Sequence, residues 1–492
     1  MILGAIILCS SISAFSDTID REALVKRNNP HVVTVDTLAS LTVGNGEFAY
    51  TVDVTGLQTF PELYRNGVPL GTQSQWGWHS FPNPDNLRHE ETLKSYDFGH
   101  GHPELYSTQL KEPERGKSAS DWYRVNPHRL HLGIIGFDGV KKSQISNIDQ
   151  TLDMWSGTVT SDFKVDSHPV KVMTACHPDR DMISAEITSA AHLPVVFRMP
   201  YPTGAHADDA CDWTRDSLHI TEVVRSGSNS ALLRHTLDDT SYYINVSWTG
   251  NVTPEVKGRN EWVLRPSSDT WSFTAEFTPA ESAAGVTVAA DVRKESTRYW
   301  DYFWRSGGVV DFSKCTDPRA AELERRVVLS QYLLATQCAG STPPQETGLT
   351  YNSWFGKFHL EMIWWHQAQF ALYGHENLLA RTLPWYETVM PIAREIARRQ
   401  GFEGVRWMKM TDPSGIEAPS KVGSFLIWQQ PHLIYLAELL HRANPGAGVI
   451  EKYAGQVEET ARFMESFATY DADNNRYTLK GVIPAQETLR AA

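Results

Sequence analysis

The sequence predicts a multidomain chain that is β first and α second, a large antiparallel β-sandwich followed by a helical domain. Three observations carry this. Between residues 30 and 290, short β-branched and aromatic runs alternate with Gly, Asp, Asn and Ser turns, without an intervening helical pattern. From Asp317-Pro318 onward, apolar residues recur at helical spacing. Between the two, Glu295 to Trp304 reads as a short aromatic helix closed by Gly307-Gly308. With 492 residues, 41% hydrophobic and 21% charged, the chain is long and apolar enough for more than one packed core.

Taken in order, residues 1–16 read as a signal peptide. Ile2 to Ile12 are nearly all apolar, and Ala14-Phe15-Ser16 offers small residues at a cleavage position. The expected location is therefore secreted or periplasmic. That stretch is too short to span a bilayer, and no later run reaches about 20 apolar residues. Cys9 belongs to this segment, leaving Cys176, Cys211, Cys315 and Cys338, an even set that allows three pairings in an oxidising compartment. Residues 30–290 form the sandwich, with strand runs such as Ala49 to Val54, Arg129 to Phe137 and Tyr242 to Trp248. Asn245 and Asn251 begin glycosylation sequons. Residues 291–317 form a helical linker. Residues 318–492 are helical, with Asp317-Pro318 as an N-cap and first helical position for a segment through Cys338, and further helices over 359–373, 376–399, 422–442 and 447–468.

Composition narrows the partners. A net charge of −13 lacks the basic footprint of a nucleic-acid binder. None of the cysteines has CxxC or Cys/His metal-ligand spacing, no cofactor is expected, and the calcium-like run Tyr470 to Tyr477 has Arg476 where its sharp-turn Gly should stand. The oligomeric state is left open. The outlier is 16 Trp, since flat apolar faces beside polar groups are what sugar rings stack on; a Trp-rich core is the other reading.

The densest chemistry lies in Tyr351 to His366. With a helix from His359, Glu361 sits at its N-terminal end, where the macrodipole favours a carboxylate that can bind two hydroxyls. Trp354 offers a stacking face, and His359 and His366 flank the carboxylate; a helix cap on a Trp/His core face is the alternative. The long loop from Gly401 to Glu417 carries Trp407 and Lys409. The helix beyond it carries Gln429 and Gln430, with Pro431 implying a kink or break; their amides facing a polar cavity is one reading and a packed helix with a local kink is the other. After a hairpin around Tyr477 to Gly481, Glu487 stands on a Pro-led loop, where burial would suit it to general acid work; an exposed surface Glu is the alternative.

Together these residues resemble the six-hairpin glycosidase superfamily, in particular glycoside hydrolase families 65 and 95, across nearly the whole chain after residue 16. The resemblance rests on the order of sandwich, linker helix and Trp-rich helix pairs. It rests also on Gly356 followed five residues later by Glu361, where family 65 has a Gly-His-x-Phe-Trp-Asp pattern, and on Val43 to Tyr50 and Asp53 to Phe60 in the sandwich. Lys357, Leu360 and Glu361 depart from that pattern, which leaves the sugar open. The resemblance implies an (α/α)6 barrel, sugar binding at Glu361, a general acid at Glu487, and a Trp76-Gly77-Trp78 loop reaching the sugar. It implies an inverting glycoside hydrolase, with an inverting disaccharide phosphorylase or a noncatalytic carbohydrate-binding remnant as alternatives. Six hairpins need twelve helices, whereas residues 318–492 hold about five candidates, so the expectation is a partial barrel without its general base.

Overall fold

A computed structural model describes residues 19–282, 285–446 and 448–483. The signal-peptide segment 1–16 and Glu487 lie outside the described residues.

The N-terminal region is antiparallel β throughout its larger sheets. Nine strands run side by side in the order His31–Val32, Ile145–Asp153, Thr158–Val165, His168–Cys176, Met182–Thr188, Thr270–Thr278, Thr240–Thr249, Ser230–Leu237 and His219–Ser226. A four-stranded sheet is built from Val252–Gly258, Glu261–Pro266, Val195–Arg198 and Ile134–Phe137, and a three-stranded one from Leu41–Gly44, Phe48–Val52 and Thr72–Ser74. Buried and less buried residues alternate along Thr158–Val165 and Ser230–Leu237, the period-2 signature that makes these strands readable. The run Arg129 to Phe137 divides into His128–Arg129 and Ile134–Phe137, with Gly133 turning between them at φ 134°. Among the described residues two helices interrupt the β region against expectation, the four-residue Pro61–Tyr64 and the longer Glu114–Val125. The residues of the longer one are mostly polar and it buries only Gly116, Ala119 and Ser120, so it has no apolar stripe for the sequence to display.

The helix Ala289–Ser306 packs on the large sheet and extends beyond the predicted 295–304 at both ends. Its anchor is Trp304, 1% exposed, whose indole N–H donates to the Met154 carbonyl at 2.8 Å. Gly157 leaves room for Trp300, whose ring lies 2.2 Å from where a Cβ would stand. The next helix, Ala320–Gln337, starts two residues after Pro318 and lies on Leu41–Gly44, with the Tyr332 hydroxyl donating to the Thr42 carbonyl. One buried apolar cluster therefore runs unbroken from Phe48 and Trp248 through Trp304 and Tyr332 to Tyr386 and Tyr453.

The later helices are Ile363–Leu372, Glu376–Thr382, Pro384–Arg399, His432–Ala443 and Val449–Phe467. The predicted 376–399 helix is two, because Pro384 opens a new first turn. The predicted 422–442 helix begins only at His432; Pro431 stands at its N-cap, and Gly423–Phe425 is a single 3₁₀ turn. The calcium-like run is a hairpin, Ala468–Asp471 pairing with Arg476–Leu479. Cys176, Cys211 and Cys338 are buried thiols, Cys315 is exposed, and none of the four is in a disulfide. Asn251 is exposed in a turn, while Asn245 sits half-buried inside Thr240–Thr249. No helix among the described residues is long and apolar enough to cross a membrane.

His375 ties the linker to the helices, its ring stacked on Phe303 at 3.9 Å. Burial, then the charge of Arg21, pushes this imidazole down to about 4 from the ordinary 6.5. The unfolded chain takes up the proton first, so the stability held above pH 6.5 is lost as pH falls toward 4, by about 2 kcal/mol at pH 5. His375→Phe keeps the stack and removes the titration. Thermal melts from pH 7 to 5 are expected to fall less steeply in the variant than in the natural chain; equal slopes would contradict this.

Candidate active site

A loop under backbone strain presents the first aromatic face. Trp354, Phe355 and Gly356 have φ of 52°, 63° and 71°, three successive left-handed residues of which only the Gly is at ease. The loop is held from the β region: Asn352–Ser353 pairs with Ala207–Asp208, and the Phe355 N–H donates to the His206 carbonyl at 3.0 Å. Trp354 is left half-buried, with His206 edge-on at 4.4 Å between ring centroids.

Beyond the loop, Phe358–His359 pairs with Met410–Thr411, and the Leu360 N–H donates to the Lys409 carbonyl at 2.8 Å. This short ladder sets residue 361 beside residue 409. Glu361 Oε2 lies 2.8 Å from Lys409 Nζ and 3.3 Å from His359 Nε2, while Trp428 donates its indole N–H to Oε1 at 3.2 Å. Burial pushes the Glu361 carboxyl up, but hydrogen bonds from His359 and Lys409 and their charge outweigh it and hold the group at about 2. Lys409 Nζ also stands 4.4 Å from the centre of the Trp354 ring. An ionised carboxylate, an ammonium, two indole rings and an imidazole therefore meet within one cluster. A narrow cavity of about 10 Å³ lies next to it, lined by Trp354, Lys409, Glu417 and Ser424 among others.

The other predicted residues fall elsewhere. The helix begins at Ile363 instead of His359, because residues 358–359 are taken by the ladder; Glu361 is ion-paired and not a first-turn cap. His366 is buried and bonds the Glu346 carbonyl at 3.0 Å through Nε2. Trp407 is 2% exposed, donating to Thr460 Oγ1 at 2.8 Å, which makes it a core side chain. Gln429 and Gln430 do not face a polar cavity: Gln429 donates to the carbonyls of Trp407 and Leu426, and Gln430 to that of Val405 while accepting from the Trp407 N–H. They staple the strand that leads to Lys409. Trp76 donates its indole N–H to Asp181 Oδ2 at 2.6 Å and lies near Tyr242, both in the β region.

Sequence reasoning misses Trp428 as a ligand of Glu361, although the residue directly precedes Gln429. It also misses Arg124 and His206, which arrive from the β region. No group of three or more potential metal ligands gathers among the described residues.

No protein-family model matches the chain, and no curated protein matches it. Among solved structures it is similar to a candidate kojibiose phosphorylase from the human microbiome, at a TM-score of 0.62 and 12% identity over 94% of this chain. It is also similar to a bacterial glucoamylase complexed with acarbose, at a TM-score of 0.46 and 10% identity over 93% of this chain and 64% of that one. The chain spans 63% of the length of the first. At this identity the first likeness speaks to fold alone: a large antiparallel β region leading into helices.

Proposed function

We propose that the chain acts on a glycosidic bond and that a sugar ring lies against Trp354, its hydroxyls bound by Glu361, Lys409 and Trp428. The observation that supports this most is the Glu361 carboxylate, held ionised by Lys409 and His359 next to a half-buried indole face. A fixed carboxylate accepts hydroxyl hydrogen bonds and the indole takes the apolar face of the ring. In the hydrolase reading Glu487 gives its proton to the leaving oxygen while water, losing a proton to a general base that is not assigned among the described residues, attacks the anomeric carbon from the opposite face, with inversion. Calorimetry with methyl glycosides is the test. Trp354→Ala is expected to weaken binding about 5- to 150-fold, the loss of about 1–3 kcal/mol of stacking and burial. Glu487→Gln is expected to abolish turnover while sparing binding; retained hydrolysis would refute its role.

A second reading, an inverting phosphorylase, takes support from the name of the structural neighbour. Phosphate then replaces water as the nucleophile. Release of a sugar phosphate that depends on inorganic phosphate would select it; free sugar without phosphate would select hydrolysis.

A further inference from the structure

Helix Glu114–Val125 of the β region ends beside the Trp354 loop, and its position is fixed there. Lys357 Nζ donates to the Asn126 carbonyl at 2.7 Å and the Tyr123 carbonyl at 3.3 Å, a cation on the C-terminal carbonyls of that helix. The last turn carries Arg124. Its guanidinium lies 5.8 Å from the Trp354 ring centre and 5.7 Å from that of Phe355, and it donates to the Pro419 carbonyl at 2.9 Å. Among the described residues that carbonyl is its one hydrogen-bond acceptor, and no carboxylate pairs with it. Asp121 lies one turn back on the helix, already bound to Lys117 at 2.9 Å.

A half-buried guanidinium without a carboxylate is unusual, because it pays for desolvation without an ion pair in return. The aromatic faces do not neutralise its charge. Two further cations stand close, Lys409 over the same ring and Lys357 behind, against Glu361, which Lys409 already engages, Glu346 and Asp412, while burial keeps the His206 imidazole, edge-on to Trp354, below its ordinary range. This grouping of three cations stands in a chain whose net charge is −13. It is a local arrangement and not a property of the surface at large.

We propose that Arg124 makes this site selective for an acidic glycoside, its guanidinium taking a carboxylate borne by the sugar that lies on Trp354. The proposal rests on the reading of the site as a sugar site and names its substrate class. A planar N–H fork matches a carboxylate in two-point contact, which an ammonium cannot reproduce, and a uronic acid carries that group as the exocyclic substituent of the carbon beside the ring oxygen, at the rim of a stacked sugar. Free phosphate shares the anionic chemistry and is the other source to be separated.

The experiment is calorimetry at pH 7 on the full chain, with methyl glucuronide, methyl glucoside and inorganic phosphate, for the natural protein, Arg124→Met and Arg124→Lys. The expected result is glucuronide binding at least tenfold tighter than glucoside. Arg124→Met should erase that preference by lowering glucuronide affinity at least tenfold more than glucoside affinity, and Arg124→Lys should keep part of it. Equal affinity for the two glycosides in the natural chain, or a preference that survives Arg124→Met, would overturn the proposal and leave the sugar site standing. Phosphate binding that Arg124→Met removes, without any preference between the glycosides, would assign the cation to free phosphate and equally overturn it. Failure of all glycosides to bind would overturn both this inference and the sugar-site reading. Circular dichroism and melting of each variant confirm that the fold is retained.

Discussion

Replacing Glu361 by Ala is expected to destabilise the chain by about 3–5 kcal/mol and to remove sugar binding together. The carboxylate is 7% exposed and its partner Lys409 5% exposed, so deleting one strands the other's charge in a desolvated site. Trp428 and His359 lose an acceptor in the same step. The double variant Glu361→Leu with Lys409→Met should cost less than Glu361→Ala alone, since no charge is left unpaired. The pH dependence has a definite sign. With a folded value of about 2 against an ordinary 4.5, the stability from this group is present above pH 4.5 and lost as pH falls toward 2, by about 3 kcal/mol in all. Urea denaturation from pH 6 to 3 of the natural chain and of the double variant measures it. A double variant as unstable as the single one would show that the pair does not act as a unit.

What the sequence makes legible follows from how local each signal is. Glu361, Trp354 and His359 lie within eight residues, and the long loop after Gly401 announces Lys409, so four members of the cluster are readable from the residues alone. A helical start at His359 is the wrong reading because residues 358–359 satisfy their backbone groups in a ladder with 410–411, a pairing between segments some fifty residues apart that periodicity cannot display. Gln429 and Gln430 mislead for a related reason. Once Pro431 delays the helix, the carbonyls of Val405, Trp407 and Leu426 need donors, and the two amides supply them. Trp407 illustrates the limit of counting aromatics: its place in a polar loop suggests an open face, but its indole is consumed in the core. Arg124 and His206 are illegible because only the fold brings them to Trp354, one on a polar helix without an amphipathic stripe and one on a two-residue strand's approach.

Gly356 offers the sharpest separation of fold from site. Its φ of 71° is a conformation that a residue with a Cβ adopts at a cost of about 1–2 kcal/mol. The space is closed as well: an added Cβ would lie 2.3 Å from Arg129 Cβ and 3.3 Å from the Arg129 backbone nitrogen. Arg129 cannot yield cheaply. It is 1% exposed, its guanidinium stacks over Trp78 at 4.4 Å and donates to the Ser74 carbonyl, and its own carbonyl accepts from Asn352 Nδ2 at 2.7 Å. Overpacking of this kind adds about 1–3 kcal/mol, so Gly356→Ala is expected to cost about 2–5 kcal/mol in all. The strain falls on the loop that aims Trp354, so the indole should lose its position before the sandwich loses its core. Denaturant melts should report the loss of stability, and calorimetry at a temperature where the variant is still folded should report weakened glycoside binding. Arg129→Ala keeps the Cβ that an added methyl at 356 would meet and leaves the clash in place, whereas Arg129→Gly in the Gly356→Ala background removes that atom, and partial recovery of stability in this double variant alone is the expected sign that steric contact is the cause. A Gly356→Ala chain with natural stability and natural affinity would mean that neither the left-handed turn nor its closeness to Arg129 constrains the site.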